Sequence, residues 1–96
     1  MLTEKIGVIG AGKIGCAIAR GIVQAGLVKK ENVMASDVSE SLRQSFTQKL
    51  GVKSTADNRE LCDSADIIIL AVKPQIVDSV AREIAKKLGK AKLLVS

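Results

Sequence analysis

The 96-residue chain has no histidine, no tryptophan and no tyrosine; its one aromatic residue is Phe46, and it has one proline and two cysteines. Each absence removes a class of function. Without histidine there is no Ser/His or Cys/His dyad, and Cys16 and Cys62, 46 positions apart, do not form a zinc-ligand spacing, so no metal site is expected. A single aromatic cannot build the stacking platforms on which single-stranded nucleic acids are held, and no nucleic-acid partner is expected. The longest run without a charged residue, 21–28, is far short of a membrane span, and the N-terminus lacks an apolar core of the secretory kind. A cytoplasmic protein with no membrane partner follows, its two cysteines serving as small hydrophobes in a reducing compartment.

Apolar residues make up 47% of the chain and charged residues 26%, the balance of a folding sequence. At this length one domain is the ceiling, burying roughly 60 to 65% of its unfolded surface. Fifteen Lys and Arg against ten Asp and Glu give a net charge of +5, which suits a phosphate-bearing partner and plain solubility equally.

Along the chain the hydrophobic period switches repeatedly between two and 3.6. A short apolar run, Ile6–Ile9, ends at a glycine cluster and feeds a helix with Ile14, Ala17, Ile18, Gly21, Ile22 and Ala25 on one expected buried stripe, closed by Gly26. That assignment leaves Cys16 off the stripe. Val33–Ser36 reads as a second strand, and Asp37 with Glu40 as a capping box for a helix carrying Leu42, Phe46 and Leu50 before Gly51. Val52–Thr55 reads as a third strand and 57–62 as a short helix. Ile67–Val72 is apolar on both faces, as a central strand must be. Lys73-Pro74 opens a helix presenting Ile76, Val77, Val80, Ile84 and Leu88 and ending at Gly89, and Leu93–Val95 starts a fifth strand. Alternation with short connections predicts one α/β domain over 1–96, a doubly wound parallel sheet in the order 3-2-1-4-5. The chain stops at Ser96 directly after an apolar strand, which points to a domain cut before a further one and to some self-association through uncovered apolar surface.

Gly10-Ala-Gly-Lys-Ile-Gly15 is a G-x-G-x-x-G sequence placed between a strand and a helix, the context that turns a weak hexamer into the Rossmann-type dinucleotide fingerprint. Gly10 permits the tight turn, Gly12 lets a diphosphate approach the backbone, and Gly15 lets the helix pack on the strand. The same stretch matches a P-loop for seven positions, but Ile14 stands where that loop needs Ser or Thr for Mg²⁺. Asp37 lies 22 residues after Gly15, near the spacing at which an acidic residue accepts hydrogen bonds from the adenosine ribose, an argument for NAD(H).

The strings Ile6–Gly15, Ala17–Gly21, Gly51–Asn58, Lys92–Ser96 and above all Leu70-Ala-Val-Lys-Pro-Gln75 resemble the N-terminal domain of pyrroline-5-carboxylate reductase along nearly the whole chain. The resemblance implies NAD(P)H-dependent reduction of L-1-pyrroline-5-carboxylate to L-proline, the last step of proline biosynthesis, in a homodimer or higher homo-oligomer built through an all-helical C-terminal domain. It also implies site roles: Ile9, Gly10, Ala11, Gly12, Lys13 and Ile14 around the diphosphate, Ser36, Asp37 and Asn58 on the adenosine side, and Ala71, Val72, Lys73 and Pro74 on the nicotinamide side. NADP(H) is favoured by the family and NAD(H) remains possible. No catalytic residue is expected in this chain, because the cofactor carries the chemistry and any group acting on the imine would come from the other domain. A hydroxyacid or prephenate-type dehydrogenase domain, or a non-catalytic nucleotide sensor, are the alternatives.

Overall fold

A computed structural model describes residues 3–85 and 92–95. Five strands, β1 (Ile6–Ile9), β2 (Val33–Ser36), β3 (Lys53–Thr55), β4 (Ile67–Leu70) and β5 (Lys92–Val95), alternate with helices α1 (Lys13–Gln24), α2 (Glu40–Leu50), α3 (Asn58–Ser64) and α4 (Pro74–Ile84). All strand pairs are parallel and the sheet order is β3-β2-β1-β4-β5, as the alternation predicts. β1 is the spine, pairing Ile6 with both Val33 and Ile67 and Ile9 with both Ser36 and Leu70.

Strand geometry sends successive side chains to opposite faces, and two cores result. Ile6 and Val8 of β1 join Val33, Ala35, Ala19 and Phe46 on the side covered by α1 and α2. Ile9 joins Leu61, Cys62, Ile68, Leu70, Val80 and Ile84 on the side covered by α3 and α4. Gly7 belongs to the second face, where a Cβ would run into the Leu61 side chain. β4 ends at Leu70, two residues before the apolar run does, so Ala71 and Val72 form the connection into α4. The C-terminal end expected for α4 at Leu88 and Gly89 lies outside the described residues.

Two expectations from the sequence are corrected. The buried face of α1 is Gly15 and Ala19, with Cys16, Ile22 and Val23 packed beside them; Ile14, Ala17, Gly21 and Ala25 face outward, and Ile14 is 61% exposed. Gly15 sets this phase. A Cβ there would land on the Gly10 carbonyl oxygen, so residue 15 must be the one pressed against the strand exit, and the positions four, seven and eight further on follow it inward. Cys16 therefore sits on the inner side of the helix, not off it.

The capping box is the second correction. α2 starts at Glu40 with Ser39 as its N-cap, the Ser39 hydroxyl accepting from the Leu42 N–H at 3.3 Å. Asp37 is drawn away from the helix start by a backbone donor in the glycine loop, described below. α3 is capped by Asp57, whose carboxylate accepts from the Arg59 N–H at 2.9 Å. Gly51 ends α2 in the left-handed conformation at φ 69°, as its position after Leu50 suggests.

Candidate functional site

The carboxyl ends of β1, β2 and β4 open into one cleft of about 340 Å³. It lies between β1 and β4, where the winding of the sheet reverses, and this is where doubly wound sheets take their ligands. The glycine loop forms its lip. Gly10 has φ 110° and its backbone is wedged against β4's exit, with the Ala71 carbonyl oxygen 2.6 Å from where a Cβ would lie. The Gly10 N–H donates to the Ser36 carbonyl at 2.7 Å, and the Ala71 N–H to the Ile9 carbonyl at 2.8 Å, so the loops leaving β1, β2 and β4 are joined main chain to main chain.

Gly12 differs from Gly10 in kind. A Cβ on Gly12 would meet nothing within 4 Å, and its φ of −77° is open to any residue, so nothing inside the protein requires a glycine there. Gly12 is the N-cap of α1 and brings no side-chain cap, and the first turn carries no acidic residue. The helix's first N–H groups and the positive end of its dipole are left facing the cleft mouth. α4 begins in the same way: Lys73 provides no side-chain cap, Pro74 occupies the first turn, and that turn carries no acid.

The floor is a polar relay that runs from a buried serine out to an exposed glutamate. Ser36, fully buried, donates its hydroxyl to the Asn58 Oδ1 at 2.6 Å, and the Asn58 amide donates to the Glu83 Oε1 at 3.3 Å, tying β2 to α3 and α4. Asp37 stands at the rim with both carboxylate oxygens engaged, Oδ2 accepting from the Ala11 N–H and Oδ1 from the Ser39 N–H, each at 2.9 Å. The Arg43 guanidinium donates to the Asp37 carbonyl at 2.8 Å.

Of the residues singled out from the sequence, Ile9, Gly10, Gly12, Ser36, Asp37, Asn58, Ala71, Val72 and Lys73 line this cleft. Ala11, Lys13, Ile14 and Pro74 do not. Ala11 turns its methyl into the core and offers only its N–H, already given to Asp37, while Lys13, Ile14 and Pro74 are exposed just beyond the lip. Four further residues line the cleft: Val38, and Leu42, Ile76 and Val80, which the sequence marks only as apolar positions of helices. Val38 is 90% exposed, and Leu42 and Ile76 are also exposed, so the rim carries apolar surface open to water. An apolar residue interrupting the polar stretch Asp37–Ser41 was the available clue.

Among the described residues no group of three or more ligating side chains could hold a metal. Neither cysteine is in a disulfide; Cys62 is buried on α3 beneath the floor, and burial, helped by Asp63 and Glu83, pushes its thiol up, which makes it a poor nucleophile. No helix among the described residues is long and apolar enough to cross a membrane.

A doubly wound parallel sheet with a glycine loop at the switch point of its central strands defines a domain of the Rossmann type. The chain belongs to the family described as NADP oxidoreductase, coenzyme F420-dependent, whose model matches residues 5–96. It is 43% identical over all 96 residues to the pyrroline-5-carboxylate reductase of Methanosarcina acetivorans, covering 36% of that protein. Among solved structures it matches the Plasmodium falciparum pyrroline carboxylate reductase, crystallised with NADP bound, at TM-score 0.84 and 34% identity over 99% of this chain and 34% of that one. Prephenate dehydrogenase from A. aeolicus superposes at TM-score 0.87 over 99% of this chain and 34% of that one, but at 14% identity it attests the fold alone. The chain thus spans about a third of the length of the proteins it resembles.

Proposed function

We propose that this chain is the NAD(P)H-binding part of a pyrroline-5-carboxylate reductase. The observation that carries the cofactor half is the space at Gly12: a bare helix N-terminus, no acid in the first turn, and a glycine that the protein's own packing does not need. Those are the requirements of a diphosphate, an anion too bulky to share its place with a side chain. Gly10 and Gly12 with the first N–H groups of α1 would hold the diphosphate, Val38, Leu42 and Ile76 would border the adenine, and Ala71 to Lys73 would lie along the nicotinamide. When bound, the cofactor supplies the hydride; this chain's residues orient it and keep its phosphates in place.

The substrate half rests on likeness to the reductases and on Leu70-Ala-Val-Lys-Pro-Gln75, a string more specific than the glycine loop. In this reading pyrroline-5-carboxylate binds largely in the remaining two thirds of a protein of the relatives' length, which also forms the homodimer or larger assembly. The protein works in the cytoplasm, where its cysteines stay reduced. NADP(H) is favoured, with NAD(H) accepted.

Gly12→Val tests the cofactor half. The added Cβ stands in open space, so the melting temperature falls by no more than the few degrees that valine costs at an N-cap, while affinity for NADPH and NADH falls at least about a hundredfold, measured by calorimetry. Parent-like affinity in the variant overturns the assignment. NADPH-dependent conversion of pyrroline-5-carboxylate by the full-length protein tests the substrate half separately.

A further inference from the structure

An acidic residue at the end of the second strand is expected to read the adenosine ribose. The geometry points to a different role for Asp37: we propose that it is a positioning residue that clamps the glycine loop to the end of β2, and that it does not choose between NAD(H) and NADP(H). This rests on the cofactor-binding reading above.

Each oxygen of the carboxylate accepts a backbone N–H from within the protein. Oδ2 takes the Ala11 N–H across 26 residues of sequence and Oδ1 takes the Ser39 N–H two residues on, both at 2.9 Å. The rest of the residue is also held, its N–H by the Thr55 carbonyl at 3.1 Å and its own carbonyl by Arg43 at 2.8 Å. Ala11 is 2% exposed, so without the carboxylate its N–H is a buried donor with no partner, which is costly. The glycine loop has a second tie to β2, from the Gly10 N–H to the Ser36 carbonyl, but that one is main chain to main chain and survives any side-chain change. Among the described residues the bond from Ala11 is therefore the one tie between loop and strand end that a side chain provides. It sits one residue before Gly12, where the N–H groups that meet the diphosphate begin. Loss of the clamp releases the aim of those groups, and the diphosphate is common to both cofactors.

Substituting glutamate separates a clamp from a ribose reader, because it keeps the charge and reaches further. A carboxylate reading the ribose tolerates the extra methylene, since either acid serves that purpose. One fitted between two fixed N–H groups does not. In Asp37→Glu of the full-length protein, dissociation constants for NADH and NADPH both rise about tenfold, the loss of a charge-assisted bond, with their ratio unchanged within about twofold. In the parent without cofactor, the Ala11 amide proton resolved by NMR exchanges slowly, and in the variant it exchanges faster. NADH affinity unchanged in Asp37→Glu, a ratio shifted fivefold or more, or a fast-exchanging Ala11 amide in the parent each overturns the clamp. A parent that binds neither cofactor overturns the cofactor reading instead, and the Ala11 exchange rate still decides the clamp.

Discussion

α1 and α4 begin bare, whereas α2 and α3 begin capped. At α2 the Ser39 hydroxyl and at α3 the Asp57 carboxylate accept from the first turn, and each of these helices carries a glutamate there, Glu40 and Glu60. At α1 and α4 there is neither a side-chain cap nor an acid. All four helices follow the carboxyl ends of parallel strands, and capping is worth about 1 kcal/mol wherever it is available. The two bare ends are those that flank the switch point between β1 and β4. The difference teaches where the fold has left its own stabilisation incomplete, and a partner that brings negative charge completes it.

Three substitutions would break or sharpen this contrast. Gly10→Ala has the largest expected effect, on the order of 3 kcal/mol of stability, because a methyl group at φ 110° is strained and meets the Ala71 carbonyl. Urea unfolding of parent and variant measures it, and a loss under about 1 kcal/mol would mean that the junction relaxes easily. Asp57→Ala comes next: loss of the α3 cap costs about 1 kcal/mol and lowers the melting temperature by roughly 4 to 8 °C, while cofactor affinity stays within about twofold. The nearby Arg59 pairs with Asp57 at 3.6 Å but is exposed, and contributes little. Lys13→Glu has the smallest effect and the most telling sign. An acid in the first turn of α1 raises stability by about 0.3 to 0.5 kcal/mol and weakens cofactor binding about threefold to tenfold, read by melting and by titration. If stability and binding moved together, the bare end would have no bearing on the ligand.

The strand order was legible because Gly26, Gly51 and Pro74 punctuate an apolar pattern that changes period cleanly. The phase of α1 was harder to place. Ile14 and Ile18 invite a stripe of their own, but Lys13, Arg20 and Gln24 share one face of the helix and mark the opposite side, through Gly15, Ala19 and Ile22, as the inner one, and the closeness of Gly15 to the Gly10 carbonyl fixes it there. The start of α2 was similarly ambiguous. In Asp37-Val-Ser-Glu40 either Asp37 or Ser39 can cap, and the choice falls to Ser39 because a donor 26 residues away claims the aspartate. The polar part of the cleft could be read from a motif. Its apolar rim left one local sign, Val38 within a polar stretch, and Ile76 joins it only through tertiary structure.

The three glycines of Gly10-Ala-Gly-Lys-Ile-Gly15 also record two different selections. Every single-base change in a glycine codon that specifies another amino acid introduces a Cβ; at Gly10 and Gly15 that atom strikes backbone, and at Gly12 it strikes nothing within the chain. Variants of this gene sorted for folding alone would therefore be depleted at the outer two positions and tolerant at the middle one. Only sorting for ligand would close all three. Two thirds of the fingerprint belongs to the architecture of a strand meeting a helix, and the part that speaks of a nucleotide is the single residue that the architecture leaves free.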